Sequence, residues 1–98
     1  MKVYVLVHES YSWWDNDYTT QVYTFKDKQS AINYLTVLKE MLLDDALEHN
    51  DMKIEDFENS DDYYMYLDME ENDFFTVRIE EWGSESLWIK ESDVMEMN

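Results

Sequence analysis

The feature that most constrains the fold is one long segment of helical periodicity with strand-like segments on both sides. Apolar residues recur every three or four positions between residues 28 and 48, and Asp27 stands just before them as a helix N-cap. This spacing predicts a helix over 28–48 whose apolar face covers a sheet. The apolar stripe consists of Ala31, Tyr34, Leu35, Leu38, Met41, Leu42 and Ala46, with Ile32, Val37, Leu43 and Leu47 on its flanks.

Two strand-like segments precede this helix. Residues 2–9 are mostly apolar on both faces, which predicts a central strand, and residues 18–25 are rich in Thr and aromatic residues. Asn16 and Asp17 lie in the polar connection, and both residue types accept left-handed backbone conformations readily. The two segments therefore predict a first hairpin.

Two further alternating segments follow the helix. An acidic connection over residues 49–62 leads to predicted strands at 63–69 and 74–82, joined by a turn whose left-handed residue is Asn72. The order ββαββ predicts a two-layer α+β fold, a four-stranded and mainly antiparallel sheet with one long helix on one face. A strand order of 2-1-3-4 is compatible with it. Residues 84–98 receive no assignment.

Length and composition set the class of protein. The 98 residues predict a single acidic α+β domain over residues 1–98, and 45% hydrophobic residues supply enough apolar surface for a core. The chain has no Cys, which excludes disulfides and thiolate zinc sites and makes a reducing cytoplasm the expected compartment. No segment approaches the roughly 18 apolar residues of a membrane helix, so we expect no membrane interaction.

Charge is distributed unevenly along the chain. Residues 40–73 hold 14 acidic residues against Lys53 alone, whereas the whole chain has a formal net charge of −17. Such a charge repels nucleic acid and anionic lipid, which excludes ordinary direct binding to either. The carboxylates keep the protein soluble, or they enter a basic groove of a partner protein in the manner of phosphates. The candidate residues for the second role are Asp44, Asp45, Glu48, Asp51, Glu55, Asp56, Glu58, Asp61 and Asp62.

The sequence carries no catalytic motif. Of the two histidines, His8 lies within a strand and His49 at a helix end, and neither has a nucleophile motif around it. Asp45 and His49 are four residues apart, but two ligands do not make a metal site. Asp15-Asn16-Asp17 resembles the start of a calcium loop, yet the required Gly and Glu are missing from the sixth and twelfth positions. We therefore expect no enzymatic activity, no metal site and no cofactor.

Aromatic residues form a second candidate surface. Strand alternation places Tyr64, Tyr66 and Phe74 on the sheet face opposite the helix, while Trp13 and Trp14 lie in the first hairpin connection. Either residues 84–98 pack over that face, or it is exposed for a partner or a second copy and the chain forms a homodimer. These five residues are the candidate apolar interface.

The residues also carry two resemblances. The ββαββ order, the opening Lys2–Val7, the Trp13-Trp14-Asp15 connection and the acidic second half resemble small uncharacterised proteins of bacterial genomes, prophages and mobile elements. That resemblance implies no activity. In size and charge the chain also resembles the DNA-mimic inhibitors of restriction and CRISPR systems, which implies a basic, nucleic-acid-binding protein as partner. Because only composition carries this second resemblance, no functional residue is transferred from it.

The sequence thus predicts a non-enzymatic acidic protein that binds a basic protein partner. The alternative is an accessory or structural domain that self-associates through an aromatic sheet face.

Overall fold

The protein is one antiparallel sheet with helices on one face, as described for residues 1–94 by a computed structural model. The sheet order is β2-β1-β5-β4-β3, with every neighbouring pair antiparallel. The predicted α+β architecture with a helix packed on a sheet is confirmed, but the sheet has five strands rather than four. The elements are β1 Lys2–Ser12, β2 Asp17–Phe25, α1 Lys28–His49, α2 Ile54–Glu58, β3 Met65–Asp68, β4 Phe74–Ile79 and β5 Gly83–Asp93.

The observed strand order differs from the 2-1-3-4 arrangement in two ways: β5 lies next to β1, and the second hairpin meets β5 through β4 rather than through β3. Leu87, near the middle of β5, pairs with His8 on one side and with Phe75 on the other. Leu87 is fully buried, and the backbone groups of β5 bond to a neighbour on each side. Residues 84–93 therefore complete the sheet instead of packing over its second face, and residues 95–98 lie outside the described residues.

The helix predicted over residues 28–48 is confirmed as α1. Its first turn begins after Asp27, whose Oδ1 accepts a hydrogen bond from the Ser30 backbone N–H at 2.8 Å. This cap satisfies one of the donors that a helix N-terminus leaves unpaired. Ala31, Leu35 and Ala46 are buried against the sheet.

The covered side of α1 is rotated slightly from the predicted stripe. Tyr34 and Met41, predicted to face the sheet, are 37% and 58% exposed, whereas Leu43, predicted to flank the stripe, packs against the core. The apolar surface of α1 is wider than the contact with the sheet, so one flank is covered and the other is left open.

The core lies between α1 and the middle strands. Each fully buried large apolar side chain contributes about 1.5–3 kcal/mol to folding. Met52 and Phe57, before and within α2, pack against the same cluster and tie α2 to the helix-covered side. The buried members are Leu6, Leu35, Ala46, Phe75, Val77, Ile79 and Leu87.

The turns follow the predicted chemistry only in part. Asn16 has φ 47° in the first hairpin, as predicted, but Glu71 (φ 48°) rather than Asn72 is the left-handed residue of the second. The pairing ends at Asp68 and Thr76, which centres the connection on residue 72, and the left-handed conformation falls one residue earlier.

The strand predicted at 74–82 ends at Ile79 because residues 80–82 turn the chain into β5. Glu81 adopts φ 74° in this turn, and Gly83 follows with φ 141°. A Cβ at Gly83 would lie 2.0 Å from the Tyr11 carbonyl oxygen, so only glycine fits there. Among the described residues, neither helix has the length and apolarity needed to span a membrane.

Candidate interaction surface

Nine exposed carboxylates follow the chain from the end of α1 to the start of β3, and we call them the acidic surface. The last turns of α1 carry three of them, α2 carries three, and the remainder lie in the connections before and after α2. Within residues 1–94 the ion pairs are Lys2–Glu91 and His8–Glu85, so none of the nine is paired with a cation. The structure therefore exposes every predicted acidic residue: Asp44, Asp45, Glu48, Asp51, Glu55, Asp56, Glu58, Asp61 and Asp62.

Local hydrogen bonds position the backbone of this surface. Asp56 Oδ2 accepts from the Lys53 N–H at 2.7 Å, and Asp62 Oδ1 accepts from the Tyr64 N–H at 3.1 Å. The Ser60 hydroxyl oxygen accepts from the Asp62 N–H at 2.9 Å. These bonds satisfy backbone donors in the segment, while the remaining carboxylate oxygens face water.

The structure does not gather the five candidate aromatic residues into one patch. Trp13 lines a cleft with Tyr11, Tyr18 and Arg78, whereas Trp14 lies near His49 at the end of α1. Tyr66 lines a second cleft that also reaches Arg78. Tyr64 precedes β3 and is 57% exposed, and Phe74 pairs with Trp88 at the start of β4.

The sheet face opposite α1 is the open face, and no helix of residues 1–94 lies over it. Strand register places Val5, Val7 and Trp88 near its middle, where they are half-buried by their neighbours. The charged residues that strand pairing places on it are Glu9, Asp68, Arg78 and Lys90, and Glu80 adjoins it in the cleft beside Arg78. Sequence reasoning missed the contribution of Trp88 because it left residues 84–98 unassigned.

A polar cluster on the helix-covered side joins β1 to β5. The Glu85 carboxylate bonds to His8 Nε2 at 2.6 Å through Oε2 and accepts from the Ser10 hydroxyl at 2.7 Å through Oε1. The side chains of His8 and Glu85 are only 13% and 14% exposed. Because the Ser10 hydroxyl bonds to the carboxylate rather than to the imidazole, this geometry is not that of a serine nucleophile with a histidine base.

The sequence held a weak signal for this cluster. Residues 85, 87 and 89 share one face of a strand by alternation. Because Glu85 lies on the same face as Leu87 and Ile89, its carboxylate is expected to need a hydrogen-bond partner on the buried side of the sheet. His49 is engaged differently: its Nδ1 hydrogen-bonds with the Asp45 backbone carbonyl at 2.9 Å. In the part of the chain that the structure describes, no group of three metal-binding side chains comes together.

One tyrosine on the open face is perturbed by the neighbouring acidic residues. The Tyr66 hydroxyl donates to Asp68 Oδ2 at 2.9 Å. This hydrogen bond raises the pKa of Tyr66, and desolvation and the charges of Asp68 and Glu70 raise it further.

Comparison of the chain with protein-family models, with curated proteins and with solved structures finds no match. Function is therefore inferred from the chemistry of these surfaces alone.

Proposed function

We propose that the protein is a non-enzymatic binding protein whose acidic surface engages a basic protein partner. The observation that carries this proposal is the exposure of nine carboxylates without cationic partners among residues 1–94. An unpaired carboxylate retains its full charge for an external cation, so a partner's Lys or Arg side chains do not have to displace an internal ion pair.

Mimicry of nucleic acid is the most specific form of this proposal. Duplex DNA carries one negative charge per about 1.7 Å of its axis, and proteins that bind it line their grooves with Lys and Arg. The acidic surface presents nine negative charges between residues 44 and 62, on two helices and their connections. A nucleic-acid-binding partner is expected because it already possesses a complementary basic groove.

The proposed interaction is tested by competition between the protein and duplex DNA. Basic proteins eluted from a DNA column are the probe, and the readout is the amount of bound DNA that the protein displaces. Wild-type protein should displace DNA, and the effect should weaken strongly between about 50 and 300 mM salt. Amide substitutions at all nine positions of the acidic surface should abolish displacement, whereas single substitutions should change it little.

A charge-matched variant separates position from net charge. It carries nine amide substitutions at exposed carboxylates outside the acidic surface, so both variants have the same formal charge. The control positions are Glu9, Asp15, Asp17, Glu40, Glu70, Glu71, Glu81, Glu91 and Asp93.

Equal displacement of DNA by wild type and both variants would show that the carboxylates serve solubility. That result would favour the alternative, an accessory domain that self-associates through its aromatic sheet face. If both variants lose DNA displacement equally, net charge rather than the position of the acidic surface determines binding, which would also contradict the proposal.

A further inference from the structure

Residues 18–38 form a nearly uncharged side of the molecule, which we call the neutral side. It comprises β2 from Tyr18 onward, the turn into α1, and α1 as far as Leu38. Its charged residues are Lys26, Asp27 and Lys28, which give a net charge of +1 within a chain of net charge −17. Tyr18–Phe25 and Gln29–Leu38 contain no charged residue at all.

The strand in this segment is an unprotected sheet edge. β2 has nine residues and pairs with β1 without interruption from Tyr4↔Phe25 to Ser12↔Asp17. Proteins normally protect edge strands by shortness, charge, proline or a bulge. β2 has no proline, no bulge and no charge after Asp17, so its outer backbone groups are available for another strand.

The exposed flank of α1 extends this surface. Tyr34, Val37 and Met41 follow the spacing of one helix flank and are 37%, 53% and 58% exposed. The Tyr34 ring lies 4.9 Å from the ring of Tyr23 and 5.8 Å from that of Phe25, both in β2. Tyr34 therefore joins this flank to β2, and strand and helix together present a surface that is nearly uncharged.

We propose that a second copy of this chain docks on the neutral side. In this dimer β2 pairs antiparallel with β2 of the other copy, which extends the sheet across the interface. The two-fold axis passes through Gln21, the middle residue of β2, so that Gln21 pairs with Gln21 of the other copy. An isologous contact of this kind closes after two copies.

The charges favour a second copy as the occupant. A chain of net charge −17 repels its own copy over most of its surface, whereas the neutral side, with a net charge of +1, can meet another neutral side with little repulsion. The β3 edges of the two copies end up at opposite ends of the extended sheet. At about 4.8 Å per strand they are roughly 40 Å apart, far beyond the screening length of about 8 Å at physiological salt.

The test is the mass of the full chain by light scattering, from low micromolar to several hundred micromolar concentration. Reversible association of two copies depends on concentration, so the mean mass should rise across this range. Wild type should approach twice the 12.0 kDa chain mass. The double variant Thr19→Lys/Gln21→Lys should bind itself at least about tenfold more weakly, because like charges then oppose each other across the paired strands. Both positions are exposed and point away from the open face.

The control is the double variant Tyr63→Lys/Tyr64→Lys, which changes the net charge equally at exposed positions next to β3. It should dimerise as wild type does. Circular dichroism confirms the fold of each variant.

A wild-type mass that stays at that of one chain at all concentrations overturns the proposal. So does a folded Thr19→Lys/Gln21→Lys variant that dimerises as well as wild type, which would indicate pairing through the open face. Neither result depends on the displacement of DNA, so this inference and the proposed function fail separately.

Discussion

The two edges of the sheet differ in length, in charge and in what surrounds them. The β2 edge is nine residues long and has no charge from Tyr18 to Phe25. The β3 edge is four residues long, with carboxylates at Asp61 and Asp62 before it and at Asp68 within it. Short length and negative charge prevent strand addition at β3, whereas neither protects β2. The chain thus has one short, acidic edge and one long, nearly uncharged edge.

β5 holds these two regions in one sheet. The β1–β2 hairpin and the β3–β4 hairpin do not pair with each other, and each pairs with β5 instead. Changes within β5 therefore test the connection between the two sides, while changes at the edges test each side alone.

The largest expected effect comes from Gly83→Ala, which acts where β5 begins. The new Cβ would lie 2.0 Å from the Tyr11 carbonyl oxygen, at a backbone φ of 141° that L-residues rarely adopt. Backbone strain and overpacking each cost about 1–3 kcal/mol, so we expect a loss of about 3 kcal/mol or more in the free energy of unfolding. Urea unfolding followed by tryptophan fluorescence measures it. The neighbouring change Ser84→Ala should cost less than about 0.5 kcal/mol, and equal stability of the two variants would contradict the close approach of β5 to Tyr11.

The next effect comes from Glu85→Ala, which removes the acceptor shared by His8 and Ser10. Two largely buried donors lose their partner, so we expect a loss of about 1–3 kcal/mol in the free energy of unfolding. Glu91→Ala is the control, because the Glu91 pair with Lys2 at 3.3 Å is exposed and such pairs contribute about 0–1 kcal/mol. The same urea experiment compares the two. A Glu85→Ala variant no less stable than Glu91→Ala would show that the cluster does not hold β1 to β5.

The elements with strong local signals were predicted well. Helix α1 was predictable because its N-cap and its apolar spacing agree, and β1 was predictable as a central strand because both of its faces are apolar. β5 was not predictable from local pattern. Its residues alternate Ser, Glu and Lys with a few apolar ones, and burial in the middle of the sheet comes from pairing with strands far away in the sequence.

The candidate surfaces show the same division. Charged residues are exposed almost regardless of fold, so the exposure of the nine carboxylates was predictable from composition and position. The cluster of His8, Ser10 and Glu85 was not, because it depends on the register of β1 against β5. The neutral side likewise required the fold, since only the structure shows that β2 is an edge and that Tyr34 lies against it.

A smaller effect on stability should come from added salt, which tests whether charge is concentrated on the side of the acidic surface. Unpaired carboxylates close together repel one another in the folded state, and salt screens them with a Debye length of about 10 Å at 0.1 M. We expect the melting temperature of wild type to rise by about 4 °C between about 20 and 300 mM NaCl, measured at low micromolar concentration so that self-association does not contribute. The variant with amides at all nine positions of the acidic surface should respond much less. The charge-matched control variant should keep most of the response. A melting temperature that does not rise in wild type would contradict a repulsive cluster.

The smallest effect concerns Tyr66, the tyrosine of β3 that bonds to Asp68. Its hydrogen bond to the Asp68 carboxylate raises its pKa above the ordinary value of about 10 by favouring the protonated phenol. A pKa raised in the folded state gives a stabilising contribution that is complete below the unfolded pKa and is lost as pH rises through the folded value. Tyrosinate absorbance during alkaline titration should therefore show phenols that ionise late, and Tyr66→Phe should remove one of them. Asp68→Asn should shift the same phenol toward its ordinary pKa, because the charged acceptor is gone. The late absorbance that remains in Tyr66→Phe belongs to Tyr23 on the neutral side, whose pKa is raised chiefly by desolvation and by the nearby Tyr34. A Tyr66→Phe variant that keeps the full late absorbance of wild type would contradict the assignment to Tyr66.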